Sequence, residues 1–279
     1  MTKLAVIGGS GIYNIEGVSV VEEISVDTPY GKPSGNVLKL SVDGNEFYFV
    51  PRHGKGHHIS PSEINYRANI YALKTLGVDT VVSISAVGSL KEEHAPGDFV
   101  LVNQFIDWTK GLRKRTFFEQ GVVGHVSVAH PVNLDLRSRI EECLKRTDVP
   151  FRLGGSYLCI EGPQFSTQAE SNIYRSFGAD VIGMTNVPEA FLAKEAGMAY
   201  STVAMVTDYD CWKAEHCTVE EIMRVMGDNY KSAQKLILEM VPDLCKTPIE
   251  FEAENKYAVV TNPEIINSSQ NEIIQTLLN

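Results

Sequence analysis

The chain has 279 residues, of which 43% are apolar and 22% are charged, with 22 Gly and 12 Pro. This composition is typical of a globular protein and excludes a disordered chain, a collagen and a coiled coil. The formal net charge is −10, so the chain lacks the overall basic character of a nucleic-acid-binding protein. An anionic small molecule would need a local binding site that attracts it despite the negative net charge of the protein.

The five cysteines are odd in number and irregularly spaced, and no CxxC pair occurs. This pattern argues against a disulfide framework or a zinc knuckle and favours reduced thiols in the cytoplasm. No apolar run reaches the ~20 residues that a bilayer-spanning helix needs. The apolar stretch of the N-terminal segment is also too short for a signal peptide. We therefore expect a cytoplasmic protein with no membrane partner.

Strands dominate the first hundred residues. The apolar run 4–7 predicts a buried strand that stops at the turn Gly8-Gly9-Ser10-Gly11. The following segments predict strands at 18–26 and 36–51, the latter folded back at Asp43-Gly44, a loop at 52–61, a helix capped by Ser62, strands at 80–85 and 98–105, and a long loop at 107–124.

Helices and strands alternate in the rest of the chain. We predict helices at 134–145, 168–178, 188–196 and 218–240, and strands at 152–160, 179–183 and 199–206. Thr218 and Glu221 have the spacing of a capping box. Residues 248–279 form a polar tail in which 272–278 can be a final helix. Because no linker interrupts the alternation, the sequence predicts one α/β domain over residues 1–279, with a central mixed, twisted sheet flanked by helices.

In open α/β sheets, ligands bind beyond the carboxyl ends of the strands. The turn at 8–11 offers backbone N–H groups and a hydroxyl for a phosphate, or is simply a tight turn. Arg52 and His53 could hold two phosphate oxygens, with Arg52 as a bidentate cation, or lie in a solvated loop. Three histidines in 53–58 do not predict a metal site, because glycines break the segment and no carboxylate cluster accompanies them.

Two acids follow the strand at 199–206. Asp208 and Asp210 are two residues apart, so in an extended chain their side chains share a face. Carboxyls at such a position can exchange protons with a heteroaromatic base, or they can serve only as a turn and a solvated acid. Phe165 could stack on such a base or belong to the core.

Ordered short segments between residue 4 and about residue 240 carry a family resemblance. These segments are Ile7–Gly11, Thr28–Pro33, Arg52–Gly54, Asn65–Asn69, Gly88–Leu90, Pro96–Asp98, Gln104–Asp107, Glu161–Pro163, Met184–Thr185, Ala193–Gly197 and Thr207–Trp212. Together they resemble the trimeric purine nucleoside phosphorylase superfamily, and within it the 5′-methylthioadenosine phosphorylase branch.

The resemblance implies which residues bind. Phosphate would contact Ser10, Arg52, His53, Ser85, Ala86 through its backbone, and Thr185. The nucleoside would contact Phe165, Ser166, Met184, Asp208, Asp210, Val219, Ile222 and a His125 lent by the neighbouring subunit, with Asp208 and Asp210 as the catalytic acids. The family often has Thr where Ser10 and Ser85 stand here, and both hydroxyls can donate.

The two acids favour a 6-aminopurine, because a carboxylate can accept from the exocyclic amine and a protonated carboxyl can serve N7. The resemblance thus implies a pentosyltransferase that cleaves 5′-methylthioadenosine with phosphate to adenine and 5-methylthioribose-1-phosphate. It implies a homotrimer, possibly paired into a hexamer, and neither a metal nor an organic cofactor. The alternatives are a 6-oxopurine or methylthioinosine phosphorylase, a nucleoside hydrolase and a non-catalytic nucleoside-binding protein.

Overall fold

The computed structural model describes residues 2–9, 15–213 and 218–279. Within those ranges it contains eleven strands, all in one sheet. They are β1 (Leu4–Gly8), β2 (Val18–Ile24), β3 (Val37–Val42), β4 (Asn45–Pro51), β5 (Thr80–Ser89), β6 (Phe99–Leu101), β7 (Gln104–Asp107), β8 (Phe151–Leu153), β9 (Ser156–Cys159), β10 (Val181–Gly183) and β11 (Ala199–Tyr209).

Six α-helices accompany the strands in the same ranges. They are α1 (Tyr66–Thr75), α2 (Leu134–Lys145), α3 (Gln168–Ser176), α4 (Asn186–Glu195), α5 (Val219–Lys246) and α6 (Ser268–Leu278). The predicted capping box of Thr218 and Glu221 is present at the start of α5, and the predicted final helix is α6. The α/β architecture with a mixed sheet is confirmed, since β1 pairs in parallel with β4 and β5 while β3 pairs antiparallel with β4.

Several boundaries differ from the sequence-based expectation, since β5 continues to Ser89, β11 to Tyr209 and α5 to Lys246. Asn65, not Ser62, caps α1, because its side chain accepts from the Ala68 N–H. The strands expected at 98–105 and 152–160 are each two strands, and the second is divided by Gly154 and Gly155, both at positive φ. At these glycines the backbone leaves the extended conformation, which only glycine does without strain.

Two apolar layers cover the sheet. One layer joins α2 and α5 to strands of the first half, with buried side chains such as Ile140 and Leu236. The other joins α1, α4 and α6 to the opposite face, through side chains such as Leu73 and Leu277. Burial on both faces explains why a central strand such as β1 is a continuous apolar run.

The long strand β5 is where the sheet opens. On one side β5 pairs with β11 along its whole length. On the other side it pairs with β1 as far as Ser83 and with β10 only from Gly88 onward. The segment between these two neighbours, residues 84–87, has an unpaired edge, and Ala86 is exposed there. Such a switch between neighbours forms a crevice in which α/β proteins bind ligands.

Candidate active site

A cavity of about 250 Å³ lies in this crevice at the open edge of β5. It collects eleven of the fourteen residues that the sequence analysis singled out. These eleven are Arg52, His53, Ser85, Ala86, Phe165, Ser166, Met184, Thr185, Asp208, Asp210 and Ile222. They come from positions 52 to 222 of the chain, so the fold brings together segments that the sequence separates widely.

Arg52, which directly follows β4, is 2% exposed and is held by the protein itself. Its Nε and Nη2 donate to the two carboxylate oxygens of Glu189 on α4, at 2.7 and 3.0 Å. Nη2 also donates to the Ser83 hydroxyl at 2.7 Å and to the Ile7 carbonyl at 3.2 Å, and Nη1 donates to the Ile84 carbonyl at 3.0 Å. Burial opposes the charge of Arg52, but the Glu189 carboxylate raises its pKa above the ordinary value.

This geometry corrects the expectation of a bidentate phosphate contact. A guanidinium has five N–H groups, and protein acceptors take the Nε–H, both groups on Nη2 and one on Nη1. At most one N–H of Arg52 remains for a ligand. Through these bonds Arg52 joins β1, β5 and α4 beside the cavity.

His53 lies beside Arg52 and is also buried. Its Nδ1 is 2.9 Å from the Ile59 carbonyl, and a carbonyl oxygen only accepts, so Nδ1 carries the hydrogen. Burial and the positive charge of Arg52 lower the pKa of His53 to about 4. At neutral pH the ring is uncharged and Nε2 is an acceptor. The ring stacks on His57, with centroids 4.2 Å apart.

Hydroxyl groups converge on the unpaired segment of β5. The Ser85 Oγ is 3.1 Å from the Thr185 Oγ1 and 3.2 Å from the Tyr157 hydroxyl. Thr185 precedes α4, whose backbone leaves the helical conformation at Val187. Regular helix therefore begins at Pro188, as the sequence predicts. Together with the open backbone edge at Ala86, these hydroxyls can donate to a tetrahedral anion.

At the other end of the cavity, Asp208 and Asp210 share one face of the end of β11. A Cβ placed on Gly88 would lie 3.5 Å from the Asp208 Oδ2 and 3.4 Å from the Asp210 Cβ. Burial raises the pKa of both carboxyls. For Asp208, the Thr207 hydroxyl, which donates to Oδ1 at 2.7 Å, opposes the rise, and the charge of Asp210 adds to it. Such carboxyls can give and take protons closer to neutral pH than ordinary acids.

The loop after β9 forms the rim beside the two acids. Phe165 is 70% exposed although it lines the cavity. The Ser166 Oγ is buried without a hydrogen-bond partner in the described parts of the chain, so it is available to a ligand. The Cys211 thiol contacts the Ser166 carbonyl oxygen at 3.1 Å and ties this loop to the end of β11.

Three of the expected residues are not among the cavity-lining side chains. Ser10 lies outside the described residues, and nothing is described of the Val219 side chain. His125 is exposed and does not line the cavity of its own chain; its backbone N–H donates to the Ala258 carbonyl at 2.8 Å.

The structure places at the site further residues to which the sequence analysis assigned no binding role. His57, Met226 and Tyr230 line the cavity, and Glu189 supports Arg52 from below. The spacing of Met226 and Tyr230, four and eight residues after Ile222, could have been recognised as one face of α5. Glu189 could not have been paired with Arg52, because 137 residues separate them.

The described residues contain neither a cluster of metal-binding side chains nor a membrane-spanning helix. No group of three or more His, Cys, Asp or Glu side chains in residues 2–9, 15–213 and 218–279 is arranged to hold a metal ion. None of the helices in those ranges has both the length and the apolar character that crossing a bilayer requires.

Known proteins are similar to this chain in both sequence and fold. S-methyl-5′-thioadenosine phosphorylases of Rhodospirillum rubrum and Koribacter versatilis are 49% and 44% identical to the chain; the matches cover 94% and 99% of it and 90% and 95% of those proteins. A solved methylthioadenosine phosphorylase from an Antarctic soil metagenomic library has a TM-score of 0.93 and 40% identity, covering 100% of this chain and 99% of its own. The Schistosoma mansoni methylthioadenosine phosphorylase in complex with adenine has a TM-score of 0.83 and 36% identity, covering 88% and 93%.

A profile described as the phosphorylase superfamily matches residues 3–242. This range includes β1 to β11 and all eleven expected residues that line the cavity. The family resemblance first carried by short segments thus extends over the whole sheet and over the crevice at β5. The chain belongs to the phosphorylase superfamily.

Proposed function

We propose that the chain catalyses the phosphorolysis of 5′-methylthioadenosine, giving adenine and 5-methylthioribose-1-phosphate. The observation that carries this proposal is one cavity with donors for an anion at one end and, at the other, the buried carboxyl of Asp210 beside the partly buried carboxyl of Asp208. A phosphorylase needs these two ends a sugar's length apart, because phosphate attacks the carbon from which the base leaves. The relatives that bear this activity in their names support the same conclusion.

The reaction breaks the bond between the sugar C1′ and the purine N9 and forms a bond between C1′ and a phosphate oxygen. The leaving purine carries the electron pair of the broken bond and is neutralised by a proton at N7. Asp208 is the proposed proton donor, directly or through a water, since its raised pKa favours the protonated form. Asp210 would accept from the 6-amino group, which fixes the orientation of the base.

At the opposite end, the protein holds the nucleophile. The hydroxyls of Ser85 and Thr185 and the backbone at Ala86 would donate to phosphate oxygens, together with the remaining N–H of Arg52. The neutral His53 offers an acceptor at Nε2, which suits a phosphate that still carries a proton. Fixed donors of this kind accelerate a reaction through positioning and through stabilisation of charge. Phosphate is a co-substrate, and we propose that no metal or organic cofactor takes part.

The sugar substituent is assigned from the side chains of α5. Ile222 and Met226 line the cavity and are apolar, so they suit a methylthio group better than a free 5′-hydroxyl. The purine would lie against Phe165 and the free Ser166 Oγ, with the sugar near Met184. These placements are proposals from the lining of the cavity.

The test is a substrate panel assayed for release of free base with and without phosphate. We expect methylthioadenosine to be cleaved only when phosphate is present. Equal rates without phosphate would indicate a hydrolase, and a preference for methylthioinosine would indicate the 6-oxopurine branch. Binding of methylthioadenosine without turnover would indicate a nucleoside-binding protein.

We also propose that the active form is a homotrimer in which His125 of each chain reaches the site of its neighbour. The exposure of His125 and its absence from the cavity of its own chain agree with this role. Mixing inactive Asp208→Ala chains with His125→Ala chains should restore part of the activity, because some mixed sites receive both side chains. A fully active monomer in light scattering would contradict the proposal.

A further inference from the structure

One face of α5 runs along the cavity and ends at a tyrosine. Ile222, Met226 and Tyr230 follow one another at helical spacing, and all three line the cavity. The first two are apolar, whereas Tyr230 brings a hydroxyl. A Cβ placed on Gly9 would lie 3.2 Å from this hydroxyl, so the hydroxyl faces Gly9. Gly9 lines the same cavity as Arg52, and the neighbouring Gly8 carbonyl accepts from the Arg52 backbone N–H at 2.9 Å.

The Tyr230 hydroxyl has no hydrogen-bond partner among residues 2–9, 15–213 and 218–279. Its ring is partly buried and packs against the apolar layer that contains α5. Burial raises the pKa of Tyr230, and the positive charge of Arg52 acts in the opposite direction. The hydroxyl is therefore protonated at neutral pH and can donate. Because Tyr230 lines the cavity, a ligand atom bound there can accept a hydrogen bond from it.

Arg52 and His53 add few donors to the hydroxyls and backbone at the anion end, so the Tyr230 hydroxyl could supply a further one. Arg52 retains at most one N–H, because Glu189, Ser83 and two carbonyls take the others. His53 presents an acceptor at Nε2 rather than a donor, since its hydrogen is on Nδ1. A phosphate dianion has oxygens for many more donors than these two residues supply.

We propose that the Tyr230 hydroxyl donates a hydrogen bond to the bound phosphate from the side of α5. This inference rests on the proposed function, since it adds a residue to the phosphate end of that same site. In this proposal, the cavity-facing side of α5 contacts two parts of the bound substrates. Ile222 and Met226 would contact the sugar substituent, and Tyr230 would hold the nucleophile.

The test compares Tyr230→Phe with Tyr48→Phe. Both changes remove one hydroxyl from a partly buried tyrosine, but Tyr48 lies on β4 outside the cavity. In Tyr230→Phe we expect the KM for inorganic phosphate to rise about 10-fold, which corresponds to about 1.4 kcal/mol. The KM for methylthioadenosine and the thermal midpoint should stay close to those of the parent. Tyr48→Phe should change none of these quantities.

Two results would overturn the inference. An unchanged phosphate KM in Tyr230→Phe would leave Tyr230 with a packing role only. A rise confined to the nucleoside KM would place its hydroxyl against the sugar. Failure of the proposed function would look different, because the parent protein itself would then release base without any need for phosphate. Direct titration of inorganic phosphate by calorimetry gives a second readout that does not depend on turnover.

Discussion

The two ends of the cavity are built in different ways. At the phosphate end, Arg52, Glu189 and Ser83 are almost fully buried and hydrogen-bonded to one another. At the base end, Phe165 is 70% exposed and the Ser166 Oγ lacks a partner in the described ranges. The hydrogen bonds at the phosphate end are formed without a ligand, so this end is rigid before phosphate binds. At the base end, the free Ser166 hydroxyl gains a hydrogen-bond partner only when the substrate binds. The comparison predicts that changes at the base end reduce rate, and that changes at the phosphate end reduce stability as well.

The largest effect is expected at the base end. Asp208→Ala removes the proposed proton donor and should lower kcat by about 10²–10⁴-fold, the usual scale for a general acid. The thermal midpoint should change little, since the side chain is only partly buried and its burial opposes ionisation. Asp228→Asn, which alters an exposed carboxylate on α5, is the control and should keep full activity. A loss of stability that parallels the loss of rate would show that Asp208 is a structural residue.

The opposite behaviour is expected of Glu189. Glu189→Gln keeps the size of the side chain but leaves the Arg52 guanidinium without its counter-charge in a buried position. Breaking a buried ion pair in this way costs about 3–5 kcal/mol of unfolding free energy. Urea denaturation measures the loss. Glu46→Gln, which breaks the exposed pair with Lys39, should cost far less, because water and salt screen exposed ion pairs. If both variants lose the same unfolding free energy, the Arg52–Glu189 pair does not make the phosphate end more rigid than the base end.

His53 gives the phosphate end a pH dependence. Its pKa is about 4 in the folded chain, against 6.5 for an ordinary histidine. The unfolded chain therefore binds a proton below pH 6.5 that the folded chain does not bind until about pH 4, so stability falls as the pH is lowered through this window. In His53→Gln, the decrease in unfolding free energy between pH 7 and pH 4.5 should be smaller by roughly 2–3 kcal/mol. If the unfolding free energy decreases by the same amount in His53→Gln and in the parent, His53 is protonated in the folded chain like an exposed histidine.

The smallest change concerns the choice of base. Replacing Asp208 and Asp210 together by Asn keeps their size and adds amide donors, which can face a 6-oxo group. The ratio of kcat/KM for methylthioadenosine to that for methylthioinosine should fall by roughly 10-fold, the cost of one unpaired polar group. The ratio is measured on protein whose thermal midpoint matches the parent. If both substrates lose the same factor, these acids do not select the base.

The sequence predicts one of these two ends better than the other. Asp208 and Asp210 could be placed on a common face because side-chain direction in a strand depends only on local periodicity. Residues proposed for the phosphate end also line the cavity, but the hydrogen bonds of Arg52 could not be predicted, because its partner Glu189 is 137 positions away. Local patterns reveal which groups are present, and long-range packing decides which of their hydrogen-bonding atoms remain free.

The same limit explains the errors in the secondary structure. The helices capped by Asn133, Thr167 and Thr218 agree with the predicted positions, since a cap and an apolar face are local signals. The strand expected at 152–160 is divided because Gly154 and Gly155 adopt positive φ. Glycine permits this conformation but does not require it, so the sequence alone does not predict the division. The opening of β5 depends on which strands lie beside it, and no pattern within β5 reveals its neighbours.

The central claim is that phosphate attacks the sugar carbon from which the base leaves. The most direct test follows the products of methylthioadenosine cleavage by ³¹P NMR in phosphate buffer. The account predicts that each adenine released is matched by one new sugar 1-phosphate signal, at the expense of inorganic phosphate. Release of adenine with free methylthioribose and an unchanged phosphate signal would contradict it.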